Sequence, residues 1–93
     1  MKVAWTEKAV DDLARLHEFL APANARAAAA AVAIRSLVRA GGRLAELPRV
    51  GERLERYEPR EVRRLVVASY ELRYEVKGAE VIVLRVWHAR ERR

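Results

Sequence analysis

The sequence predicts an α+β fold of two layers: a short N-terminal strand and an α-helical hairpin packed on one face of an antiparallel sheet, in the order β-α-α-β-β-β. Three observations predict it. Tyr70-Glu71-Leu72-Arg73-Tyr74-Glu75-Val76-Lys77 alternates apolar and charged side chains without a fault, the period of a strand with one buried and one wet face. After a turn at Lys77-Gly78-Ala79-Glu80, the chain returns through Val81-Ile82-Val83-Leu84-Arg85-Val86-Trp87, β-branched and apolar enough for a central strand. Ahead of this sheet lie two segments with the three-to-four apolar spacing of helices, separated at Pro22.

Lys2-Val3-Ala4-Trp5 reads as the opening strand, and Thr6 as the cap of the first helix, with Glu7 where the helix dipole favours an acid. Trp5 and Val10 have the spacing of a hydrophobic staple. Ala9, Leu13, Leu16 and Leu20 mark the inner stripe of this helix, flanked by Val10 and His17, and Asp11, Asp12, Arg15 and Glu18 mark its wet side. It ends near Ala21, because Pro22 disfavours helical geometry in the residue before it. Asn24 caps a second, alanine-rich helix whose stripe runs Ala27, Ala30, Ile34, Leu37, Val38, Gly41, Leu44 and Ala45. The period survives Gly41-Gly42, so one long helix is expected, with Gly41 on the stripe to admit a close neighbour. Small residues in its first half imply tight packing on the first helix.

Leu47-Pro48-Arg49-Val50-Gly51 ends the helix and turns the chain. Residues 49–61 are charged, contain Pro59 and lack a period, so a loop with one helical turn is expected; Glu52, Glu55 and Glu58 read as its solvated carboxylates. Val62-Arg63-Arg64-Leu65-Val66-Val67 is the first strand of the meander, joined through Ala68-Ser69 to the second.

Alternation places Leu65, Val67, Tyr70, Leu72, Tyr74, Val76, Ile82, Leu84 and Val86 on the buried face. The opposite face receives Arg64, Val66, Glu71, Arg73, Glu75, Val81, Val83, Arg85 and Trp87. There Val81, Val83 and Trp87 form an apolar strip edged by Arg73 and Arg85, a composition of partner surfaces; otherwise the first strand or the tail folds over it.

A chain of 93 residues makes one domain, residues 1–93, with a single modest core. No cysteine is present and there are only two histidines, which leaves no disulfide, no thiolate zinc site and no all-histidine metal site; no cofactor or metal is expected. Met1-Lys2 is followed by four uncharged residues only, and the longest uncharged run, Ala27 to Ile34, is too short to span a bilayer. A soluble, cytoplasmic protein without a membrane partner is therefore expected. The net charge of +6 comes almost wholly from arginine, whose planar donor fork suits carboxylates and phosphates. An acidic protein, nucleic acid and an ordinary solvated surface all fit that composition.

Leu47-Pro48-x-x-Gly51, Arg63-x-Leu65-x-Val67, Tyr70-x-Leu72-x-Tyr74-x-Val76 and Ile82-x-Leu84-x-Val86-x-His88-x-Arg90, in this order, resemble the ParE/RelE toxins of type II toxin–antitoxin systems. Trp5-Thr6-Glu7-Lys8-Ala9 and the helical hairpin fit too, so the resemblance covers almost the whole chain. It implies a small bacterial toxin, neutralised by a cognate ParD-like antitoxin whose flexible segment wraps it, in a higher-order toxin–antitoxin oligomer. An acidic, amphipathic antitoxin segment is expected on the groove of hairpin and sheet, at Leu13, Leu16, Leu37, Val81 and Val83.

The family has two branches. Members resembling RelE cut ribosome-bound mRNA, which needs a base, an acid and cations for the developing phosphorane. They carry an arginine directly after the position of Tyr70, where this chain has Glu71, and a C-terminal tyrosine, where it has Arg90-Glu91-Arg92-Arg93. On that reading His88, Arg90 and Arg64 are the catalytic candidates, His88 as general acid or base; alternatively His88 is a strand-end histidine bonded to backbone or to a tail carboxylate. Tyr70 and Tyr74 read as packing residues. Members resembling ParE bind DNA gyrase and stabilise its cleaved-DNA complex without covalent chemistry of their own. This branch fits better, with target contacts at Arg64, Arg73, Arg85, Trp87, His88 and Arg90, and Arg92 and Arg93 adding charge to the tail.

Overall fold

A computed structural model describes residues 1–20 and 24–91 of the chain. Strand β1 (Lys2–Trp5) leads into helices α1 (Glu7–Leu20) and α2 (Asn24–Arg43). A two-residue strand β2 (Glu52–Arg53) and a 3-10 turn (Glu55–Tyr57) follow, then β3 (Glu61–Val67), β4 (Tyr70–Lys77) and β5 (Glu80–His88). The helices cover one face of a five-stranded sheet of order β1-β5-β4-β3-β2. The meander β3-β4-β5 is antiparallel as expected, and β1 joins its far edge parallel to β5. The chain break expected at Ala21-Pro22, the side chains of Glu18, Leu20, Asn24, Ala27 and Ala30, and the tail residues Arg92 and Arg93 lie outside the described residues. Among the described residues, no helix is long and apolar enough to cross a membrane.

Thr6 caps α1: its hydroxyl accepts from the Ala9 N–H at 3.0 Å and donates to the Leu84 carbonyl at 3.0 Å. The expected staple does not form. Val10 is 52% exposed, and Trp5 turns instead toward α2, where a Cβ on Gly41 would lie 2.5 Å from its Cζ2. Gly41 thus admits an indole ring. Beyond Arg43 the helix tightens into bonds from Leu44, Ala45 and Glu46 to residues three back, which bury Leu44 before the chain turns at Leu47. Gly78 takes φ 59° in the two-residue turn between β4 and β5, the left-handed conformation that glycine adopts freely.

One expectation about the sheet is corrected. Between the pairs Arg73↔Arg85 and Tyr74↔Val83, β5 carries one extra residue, Leu84. This bulge reverses the alternation, so Val81, Val83 and Val86 all face the helices and are fully buried. Ile82 and Leu84, expected in the core, are only partly enclosed, and Val81 and Val83, expected outside, lie within it. Leu65, Val67 and Tyr70 pack on that core as expected, beside Leu72, Tyr74 and Val76.

The bulge sits where β1 ends, so the remaining edge of β5 needs other partners. Side chains of α1 and the tail provide them. The Asp12 carboxylate accepts from the Val86 N–H at 2.8 Å, Arg15 donates to the Val86 carbonyl at 2.9 Å, and Glu91 accepts from the His88 N–H at 2.8 Å. Arg15 also pairs with both Asp12 and Glu91. Asp12, expected on the wet side of α1, is therefore buried, at 4% exposure.

Candidate functional site

The outer face of the sheet is organised by strand register. Glu52 pairs with Arg64, Arg64 with Arg73, and Arg73 with Arg85, giving one cross-strand row with three adjacent arginines. Like charges directly opposite one another are destabilising in a sheet. Each guanidinium here has an acid: Arg64 meets Glu52 at 2.6 Å, Arg73 meets Glu71 at 2.6 Å, and Arg85 grips Asp12 with Nε at 2.8 Å and Nη2 at 3.1 Å. The carboxylate of Asp12 raises the pKa of Arg85 by hydrogen bonding and by charge, against the opposing effect of burial.

The next row places Val66, Glu71 and Trp87 side by side. The Trp87 ring lies against Arg73, 4.7 Å from guanidinium carbon to ring centroid, and Arg85, at 5.1 Å, within the reach of cation–π attraction. Arg73 also lies 5.8 Å from the Tyr57 centroid and donates to the Tyr57 hydroxyl at 2.9 Å, while Arg56 stacks on the same ring at 5.1 Å. Burial alone would push the Tyr57 phenol up, but its hydrogen bonds and charge interactions with Arg56 and Arg73 outweigh this and hold it below its ordinary value.

The segment expected as a charged loop thus forms part of the site. It packs Leu54 and Tyr57 over one end of this face and encloses Val62 completely. Arg60 holds Glu75 at 2.9 Å, and that hydrogen bond keeps the Glu75 carboxyl below its usual range despite burial. The expected open strip of Val81, Val83 and Trp87 is not present: the two valines are in the core, and Trp87 is 9% exposed beneath its arginines. Val66, at 64%, is the exposed aliphatic residue of this face.

The other candidate residues fall elsewhere. His88 pairs with Tyr70 on the helix side, the two rings edge to face at 5.0 Å, and is buried. Its Nδ1 accepts from the Arg90 N–H at 3.0 Å. Arg64 and His88 therefore project from opposite faces of the sheet, and the side chains of His88, Arg90 and Arg64 do not form one cluster. Of the expected antitoxin contacts, Leu16, Leu37, Val81 and Val83 are fully buried and offer a partner no surface; Leu13 is half-buried. An open apolar feature on the helix side is a pocket of about 220 Å³ lined by Ala40, Arg43, Leu44, Leu47, Val50 and Leu65. Leu47 and Val50 are both more than half exposed there. Among the described residues, no group of three or more histidine, aspartate or glutamate side chains is placed to hold a metal ion.

Sequence reasoning missed Asp12 and Tyr57. An acid two residues into the second turn of α1, on the border of its inner stripe, was the available signal for the first; Tyr57, the lone aromatic residue in a charged segment, was the signal for the second.

Comparison with known proteins gives concordant results. The family model described as the ParE toxin of the type II toxin–antitoxin system parDE matches residues 3–93. Among solved structures, the chromosomal ParDE toxin–antitoxin system from P. aeruginosa includes a chain that is 24% identical, with a TM-score of 0.78 and 95% of each chain covered, a likeness of fold. No curated protein matches the sequence.

Proposed function

This chain belongs to the ParE toxin family of type II toxin–antitoxin systems, and from that membership we propose that it arrests growth by binding DNA gyrase and stabilising the cleaved-DNA complex. It acts by contact and performs no covalent step. The observation that carries this reading is the composition of the Arg64–Arg73–Arg85 row and its Trp87 neighbour. Glu71 sits beside the central arginine, 2.6 Å from its guanidinium, where phosphodiester cleavage would call for uncompensated positive charge. His88, the acid–base candidate of the nuclease reading, projects from the other face.

Arg64 and Arg85, partly exposed, and Arg73, enclosed between Tyr57 and Trp87, suit a protein surface rich in backbone carbonyls and polar side chains, with arginine as the anchor and the Trp87 ring as its support. Val66 supplies an apolar contact at the edge of the row. The cognate antitoxin occupies a different surface, the pocket between the end of α2 and β3. There an aliphatic side chain of an acidic segment inserts among Leu47, Val50 and Leu65, and a carboxylate meets Arg43.

The test is trapping of cleaved DNA by purified gyrase in the presence of the toxin. Linear DNA should accumulate with the wild-type chain and fall at least about tenfold with Trp87→Ala, which removes the ring that holds the Arg73 and Arg85 guanidiniums in place. Retention of full trapping by a folded Trp87→Ala variant would remove this face from the mechanism.

A further inference from the structure

The net charge of +6 is unevenly placed on the folded chain. On the sheet side, Arg53, Arg60, Arg64, Arg73 and Arg85 each lie against a carboxylate, so that face is close to neutral in spite of its arginines. Helix α2 is different. Arg35, Arg39 and Arg43 are all exposed, and among the described residues none of the three forms an ion pair. Their spacing of four places them along one side of the helix, about 6 Å apart in rise and about 12 Å from first to last. Arg43 also borders the pocket assigned above to the antitoxin, so the whole stripe is open only in the free toxin.

We propose that this outward stripe of α2 binds the phosphate backbone of duplex DNA. Three uncompensated guanidiniums at regular intervals match a repeating anion, and arginine offers each phosphate a planar donor fork. A protein partner is the weaker match. Interfaces between proteins centre on buried apolar or aromatic anchors, and beside these arginines the described part of the helix exposes two valines, Val32 and Val38, and no aromatic side chain. Phosphate contacts of this type fix position and carry no base sequence. The setting rests on the gyrase–DNA reading above: the sheet face would hold the enzyme while α2 holds DNA beside it. The contact itself needs no gyrase.

The test is fluorescence anisotropy of a labelled duplex of about 20 base pairs, long enough for several overlapping sites, titrated with the full chain over a salt series. Three phosphate contacts give a slope of about −2.7 in log K against log salt, which weakens binding about 40-fold between about 50 and 200 mM. The triple variant Arg35→Gln, Arg39→Gln, Arg43→Gln should lose that slope. Arg39→Glu alone should weaken binding by about tenfold, allowing for one lost and one repelled phosphate. Arg64→Gln, at a site already paired with Glu52, should change the slope by less than one contact. An unchanged slope in the triple variant, or no salt-dependent binding by the wild-type chain, would overturn the proposal. So would a triple variant that keeps DNA affinity but loses binding to poly-glutamate, which would make the stripe a seat for acidic protein. Failure to trap gyrase with DNA binding intact would count against the function proposed above and leave this inference standing.

Discussion

Replacing Asp12 tests how the helix layer is fastened to the sheet. Its carboxylate accepts from the buried Val86 N–H at 2.8 Å and from Arg85 and Arg15 at 2.8–3.1 Å. Asp12→Ala leaves the Val86 N–H without its acceptor, a loss of about 1–3 kcal/mol for a buried donor. The ion pairs add less than a fully buried pair would, because both arginine side chains are 38% exposed and can turn to water; about 1 kcal/mol is a fair share. A destabilisation of about 2–4 kcal/mol follows, enough to lower the melting temperature of a domain this size by about 8 °C or more. Asp12→Asn keeps an oxygen for Val86 but turns the charge-assisted bonds to Arg85 and Arg15 into weak or opposed ones, so about 1–2 kcal/mol is expected. Urea unfolding of the three proteins, with hydrogen exchange at the Val86 amide, measures both parts. The reasoning is refuted if Asp12→Ala stays within about 0.5 kcal/mol of wild type, as an exposed acid would, or if the Val86 amide keeps its protection.

Gly41→Ala and Gly42→Ala should move stability in opposite directions. Alanine at 42 meets nothing within 4 Å and gains about 0.8–1.0 kcal/mol of helix propensity, whereas at 41 its Cβ would lie 2.5 Å from Trp5, an overpacking of about 1–3 kcal/mol that outweighs the same gain. Equal melting temperatures for the two variants would show that Trp5 yields freely. The Tyr74 hydroxyl accepts from the Gly51 N–H at 3.0 Å inside the protein, so Tyr74→Phe should cost about 1–3 kcal/mol and speed exchange at the Gly51 amide; unchanged exchange would contradict this. Acid should unfold the protein partly through Glu61 and Glu75. The hydrogen bonds from Arg49 and from Arg60 hold these carboxyls below their ordinary value of 4.5. A lowered folded-state pKa gives stability that is complete above the unfolded value and is lost as pH falls through the folded one. Stability should therefore be level down to about pH 5 and decline below it, with a shallower decline in Glu61→Gln and Glu75→Gln; a parallel decline in both variants would show that other groups govern it.

The sequence conveyed the elements better than their faces. Strict alternation over Tyr70–Lys77 made β4 and its buried residues legible, and Thr6 announced the start of α1. The unbroken stripe through Gly41 gave α2 as one helix. The faces of β5 were not legible because Val81 to Leu84 are four aliphatic residues in a row. Either alternate pair can enter a core, and only the bulge at Leu84, set by the end of β1 and by Asp12, decides between them. The cover over the outer face was illegible for a different reason. Leu54 and Tyr57 are isolated among charged residues, and a single apolar side chain has no period from which to read its direction.

For the site, composition indicated arginine at work on a partner but not which arginines were already neutralised. Arg64, Arg73 and Arg85 look equally free in the sequence, yet the fold brings Arg64 to Glu52 on the neighbouring strand and Arg85 to Asp12 on α1, while Arg73 turns to Glu71 two residues before it on its own strand. Nothing in the sequence distinguishes Arg35, Arg39 and Arg43 from them, although among the described residues these three keep their charge uncompensated. The family resemblance supplied what periodicity could not, the antitoxin setting of the toxin.

The most direct measurement is a paired cleavage experiment with one preparation of the purified toxin. One arm contains gyrase and supercoiled DNA, and the other translating ribosomes and message. Trapped, protein-linked breaks in the DNA with intact message are expected. Cut message with no trapped DNA would show that the Glu71-bearing face supports chemistry after all, and would contradict the account at its centre.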